Sequence, residues 1–95
     1  MFNNQRYCTR GIIGTLPPIT QIILWELIDA MEIAEKDYLQ IFHLSEENGK
    51  QKIVHEQEQP VYRKECLFPS EEPITAKIYV IDDETHSTML LAEEY

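Results

Sequence analysis

The sequence predicts an α+β fold: a mostly antiparallel sheet of about five strands with one long helix packed on one face, in the order β-α-β-β-(β)-β-β. Three observations lead there. Apolar residues recur at helical spacing over one stretch only, from about residue 18 to 35. Short runs rich in β-branched and aromatic residues lie on both sides of it. Turn signals separate those runs, the strongest being Asn48-Gly49.

The first predicted strand is Arg6–Ile13, where Tyr7, Thr9 and Ile13 alternate with Arg6, Cys8, Arg10 and Ile12. Gly11 inside it suggests a bulge or a close approach to another part of the chain. Pro17 and Pro18 then suit a first helical turn. At ~100° per residue, Ile19, Ile23, Leu24, Leu27, Ile28, Ala30, Met31 and Ala34 fill one arc. Of these, Ile23, Leu24, Leu27, Ala30 and Met31 are expected to face the sheet. Gln21, Asp29, Glu32 and Lys36 take the other side, and Trp25 falls among them.

Tyr38–Ser45 carries apolar residues on both faces, as an interior strand does. Glu46–Gly49 is its turn and Gln51–Glu58 the return strand. With Asn48 and Gly49 as a two-residue loop, Glu47 faces Lys50, Phe42 faces His55 and His43 faces Val54. The two histidines then point to opposite faces of the sheet. Val61–Phe68 is a further possible strand, and Pro69, Glu71, Glu72 and Pro73 mark a loop. Ile74–Ile81 is a clear strand, Asp82–Thr85 a polar turn, and Ser87–Glu93 the hairpin partner, preferred over a short helix.

The chain has 95 residues, 43% hydrophobic and 26% charged, which points to one domain over 1–95 with a true core. Eight Lys and Arg stand against 17 Asp and Glu, a net charge of −9. That balance argues against direct binding of nucleic acid or anionic membranes, which calls for fields of Lys and Arg. No apolar run is longer than Ile22–Trp25, which is far too short to span a bilayer. The N-terminal residues lack the pattern of a secretory signal. A cytoplasmic protein is therefore expected, with Cys8 and Cys66 as free thiols.

No catalytic, cofactor or metal signature emerges. The three glycines form no phosphate-binding loop. His43 and His55 lack a third ligand at zinc spacing. Cys8 or Cys66 with a histidine has nothing to align nucleophile and base. The paired carboxylates at Glu46-Glu47, Glu71-Glu72, Asp82–Glu84 and Glu93-Glu94 fall in turns, a loop and the chain end, where solvated charge is the ordinary reading. Arg6 and Arg10 share a strand face and are an anion-binding candidate. The only Trp makes Trp25, with Ile22 and Ile33 at its margins, the interface candidate. A self-association patch, cover by the 60–73 loop, and plain exposure are its three readings. Association is preferred, as a homodimer through the helix or with another protein.

Several groups of residues together resemble one family. They are Asn4–Gly11, Leu24-Trp25 with Leu27–Asp29, and Asp37–Gln40 with Phe42 and Leu44. Lys52-Ile53 with His55 and Gln57-Glu58, and Ser87–Tyr95, complete the set. The family is one of short, single-domain bacterial proteins, domain-of-unknown-function family nine-sixty. The resemblance covers essentially the whole chain and implies a stand-alone cytoplasmic protein. It implies no activity, cofactor or catalytic residue. The function expected is that of a small non-catalytic interaction or regulatory protein. A ligand-binding protein or enzyme using Arg6, Arg10, a histidine or a cysteine is the alternative. An acidic inhibitor or nucleic-acid mimic is the other, since residues 46–95 hold 12 acidic and 5 basic side chains.

Overall fold

A computed structural model describes residues 1–95. The fold is α+β, with six strands and two short helices in place of five strands and one long helix. The strands are β1 (Gln5–Cys8), β2 (Leu39–Glu47), β3 (Lys50–Gln57), β4 (Tyr62–Pro69), β5 (Ala76–Asp82) and β6 (His86–Leu91). The helices α1 (Arg10–Thr15) and α2 (Pro18–Asp29) follow β1, and a 3-10 turn at Ala92–Glu94 closes the chain. The sheet order is β1-β6-β5-β2-β3-β4. All neighbours are antiparallel except β1 and β6, which run parallel.

The predicted strand over Arg6–Ile13 stops at Cys8. Thr9 turns the chain by capping α1: its hydroxyl accepts from the Ile12 N–H at 3.3 Å. Ile12 and Leu16, four residues apart, then both reach the core. Leu16 and Pro17 are extended, as residues before a proline tend to be, and Pro18 opens α2 at its first position.

The second helix is shorter than its apolar pattern suggests. Thr20, Leu24 and Ile28, at i, i+4 and i+8, form its buried stripe. Ile23 and Leu27 are only half-buried, and Ala30 is exposed. Residues 30–36 contain good helix formers and no stop signal, yet they leave the helix. A buried glutamine on β3 holds the chain open there. Gln57 donates to the Glu35 carbonyl at 3.2 Å and accepts from the Asp37 N–H at 2.8 Å. Met31 is buried from this non-helical segment.

The hairpin follows its sequence. Asn48 and Gly49 both take positive φ, 52° and 75°, which suits a two-residue loop between twisted strands. Glu47 pairs Lys50, Phe42 pairs His55 and His43 pairs Val54. The possible strand after Pro60 forms as β4, and the region after Asp82–Thr85 is strand rather than helix.

One sheet face packs under the helices. Phe42, Leu44, Ile53, Ile78, Val80 and Met89 meet Ile12, Leu16, Leu24 and Ile28 there, and Phe2 is fully buried with them. The other face has no helix over it. Its β1–β6–β5 half is mixed, with Tyr7, Tyr79, Ile81 and Leu90 beside Lys77, His86 and Thr88, and Tyr95 meets Tyr79 edge-on at 5.7 Å. Its β3–β4 half is charged and internally paired: Lys52 bridges Glu47 and Glu65, and Arg63 bridges Glu56 and Glu65. No helix is long and apolar enough to cross a membrane.

Candidate functional site

The candidate residues read from the sequence are dispersed. Arg6 lies on the helix-facing side of β1 beside Ser87. It pairs with Asp29, donates to the Phe2 carbonyl at 3.1 Å and stacks on Trp25. Arg10 starts α1 and is exposed. The change from strand to helix at Thr9 removes the shared face expected for the two arginines. Trp25 does not stand away from the core as its helical angle suggests. It is half-buried against the core cluster, under Arg6 and beside Cys8. Ile22 remains half exposed on α2, and Ile33 is half-buried in the segment after it.

His43 and His55 take opposite faces. His43 lies 3.9 Å from Glu56 on the open side. His55 is fully buried, stacked on Phe42 with ring centres 4.4 Å apart. Gln40 donates to the Asp37 carbonyl at 2.9 Å and to Gln57 Oε1 at 2.7 Å, so its own oxygen faces His55 Nε2 at 2.7 Å. That arrangement assigns the proton to Nε2 and leaves Nδ1 buried without a partner. Burial, then the positive charges of Lys64 and Lys36, push its pKa down to about 4. His55 is a neutral core residue.

The thiols of Cys8 and Cys66 lie on β1 and β4, opposite edges of the sheet. Five strand spacings of ~4.8 Å put them on the order of 24 Å apart, far beyond disulfide reach. Burial raises both thiol pKa values, which lowers the reactive thiolate fraction. Two of the paired carboxylates turn out to be structural. Asp82 accepts from the Phe2 N–H at 2.7 Å and from Asn4 at 3.0 Å. Glu94 accepts from the Thr9 hydroxyl at 2.6 Å and the Leu91 N–H at 2.8 Å.

What the fold does assemble is a groove that the sequence did not announce. One wall is the α1–α2 corner, held by Gln21, whose amide donates to the Leu16 carbonyl at 3.0 Å. The other is the loop between β4 and β5, held by Gln51. This buried side chain on β3 accepts from the Ile74 N–H at 2.7 Å and donates to the Ile74 carbonyl at 2.9 Å. Between the walls lie two adjoining open depressions, of about 390 and 480 Å³. Ile19 and Phe68 line the first, Ile13 and Ile74 the second, and Pro17 and Glu72 line both.

Ile13 is 66% exposed and Ile19 60%, a high exposure for two isoleucines, one in each depression. Pro17, Pro18, Pro69 and Pro73 stiffen both walls. The signals were present in Pro17-Pro18 and in Pro69–Pro73. They were unreadable as one site because their walls come from segments about 50 residues apart.

No curated protein matches the chain. Among solved structures, a crystal structure of a protein of unknown function from Enterococcus faecalis superposes with a TM-score of 0.84 at 25% identity. The match covers 98% of this chain and 92% of that one. A family model described as staphylococcal protein of unknown function, DUF960, matches residues 5–94. That span takes in every strand and both helices, and the chain belongs to this family.

Proposed function

We propose that this protein is a small, non-catalytic polypeptide-binding module, and that the groove between the α1–α2 corner and the β4–β5 loop is its binding site. The carrying observation is the exposure of Ile13 and Ile19 on the rim of a pre-formed, proline-stiffened groove. Exposed apolar surface gathered at a concavity is a mark of an interaction site. Stiff walls reduce the ordering that association demands. The groove is favoured over the open sheet face because the charges of that face's β3–β4 half are already paired with one another, Lys77 lies over Tyr79, and Tyr95 packs against the same ring. The dispersal of Arg6, Arg10, His43, His55 and the two thiols supports a binding role over an enzymatic one. We place the protein in the cytoplasm, a reading supported by two unpaired thiols.

The test uses Ile13→Ser/Ile19→Ser, which removes the apolar rim and leaves the core intact. Wild type and variant are each coupled to resin and exposed to lysate of the native host, with bound proteins quantified by mass spectrometry. The expected result is a defined partner retained by wild type, absent from the variant and bound again when both are purified. A homodimer that the variant dissociates assigns the site to a second copy. Identical bound sets and identical mass in solution rule the groove out.

A further inference from the structure

We infer that the segment taken by the groove carries a Lys or Arg between two apolar side chains. The inference rests on the groove being a polypeptide site and adds the chemistry of its occupant.

The geometry divides the groove into three parts. Each depression offers an apolar surface, from Ile19 and Phe68 on one side and Ile13 and Ile74 on the other. Where they meet, both are lined by Pro17 and Glu72. Glu71 adds a second carboxylate to the first depression. No Lys or Arg lines either depression, and neither glutamate takes part in an ion pair within the chain. Other glutamates of the chain are unpaired too; Glu71 and Glu72 differ from them in lining a groove that also holds apolar side chains.

An apolar segment lying across the groove covers Glu72 and takes water from it. Leaving a carboxylate dry and unpaired is costly. A neutral or acidic segment therefore meets a penalty at the centre of its own footprint, and a cation there removes it. Apolar side chains in the flanking depressions supply the contact area, and the carboxylates supply the selection.

The experiment pans a phage-displayed random dodecapeptide library on the immobilised protein. Enriched peptides are synthesised and titrated by fluorescence polarisation against wild type, Glu71→Lys/Glu72→Lys and Ile13→Ser/Ile19→Ser. All four positions are exposed, and circular dichroism confirms that each variant keeps the fold. The expected peptides place Lys or Arg between apolar residues. They bind the charge-reversed variant at least tenfold more weakly and lose affinity with added salt. Peptides that lack a cation, or that bind the charge-reversed variant as well as wild type while failing on Ile13→Ser/Ile19→Ser, overturn the inference and leave the groove as the site. Peptides unaffected by either variant, or no enrichment at all, overturn both.

Discussion

Arg6 holds its guanidinium carbon 4.8 Å from the centre of the Trp25 ring while the same group pairs with Asp29 one helical turn further on. One side chain from an edge strand thus covers the indole and ties α2 to the sheet. A cation over an indole face contributes ~1 kcal/mol, and truncating a packed Trp costs several.

Trp25→Ala should lower unfolding stability by about 3 kcal/mol. Arg6→Lys keeps the charge but loses the planar stack and the fork on Asp29, and should cost about 1 kcal/mol. Urea unfolding of both single variants and the double variant measures the coupling. Losses that simply add would mean that the stack contributes nothing.

Stability should fall in mild acid because of His55. Its pKa in the fold is about 4 against an ordinary 6.5. Between those values the unfolded chain takes up a proton that the folded chain refuses. The contribution is complete above pH 6.5 and is lost as pH falls towards 4. At ~1.4 kcal/mol per pH unit the loss over that interval is about 3 kcal/mol. Denaturation midpoints from pH 7 to 4.5 give the slope, and His55→Leu should flatten it. A wild-type slope no steeper than the variant's would show that His55 accepts a proton without unfolding.

A glycine and a carboxylate meet at the start of α1. A Cβ on Gly11 would lie 2.6 Å from the Glu94 carboxyl. The Thr9 hydroxyl, then the Leu91 N–H, hold that carboxyl below its usual pKa, with the Gly11 N–H adding to them. In an open helix Gly→Ala is favourable by ~1 kcal/mol. Gly11→Ala alone should instead destabilise, because the side chain displaces Glu94 from Thr9. In a Glu94→Ala background the same substitution should stabilise by about 1 kcal/mol. A thermal-unfolding cycle reads the sign change, and equal effects in both backgrounds would mean that the contact is slack.

Gln51 is the brace of the β4–β5 loop. Gln51→Leu keeps the side chain's bulk and strands the N–H and carbonyl of Ile74. The cost should be about 1–2 kcal/mol, the net loss of two hydrogen bonds to partly buried groups. Hydrogen exchange at Ile74 should accelerate with it. An unchanged exchange rate would show that the loop is held by its prolines alone.

The sequence by itself determined the parts whose causes are local. Asn48-Gly49 accepts positive φ at both turn positions, so the β2–β3 register, down to Phe42 opposite His55, could be read from those two residues and the strands beside them. The α+β class followed from hydrophobic periods, and the family followed from residues in their linear order. The tertiary structure decided whatever depends on distant partners. Tyr7–Ile13 alternates as a strand would, but Thr9 caps a helix there, and the Glu94 carboxylate closes against that cap from the far end of the chain. Residues 30–36 have the composition of a helix, and Gln57 from β3 holds them open. Trp25 falls on the polar arc of an isolated helix, and only the placement of β1 beside β6 brings Arg6 over it. The groove depends most on the fold: Pro17 and Glu72 are 55 residues apart. No local pattern encodes a meeting that is fixed by Gln51 bonding the backbone of Ile74.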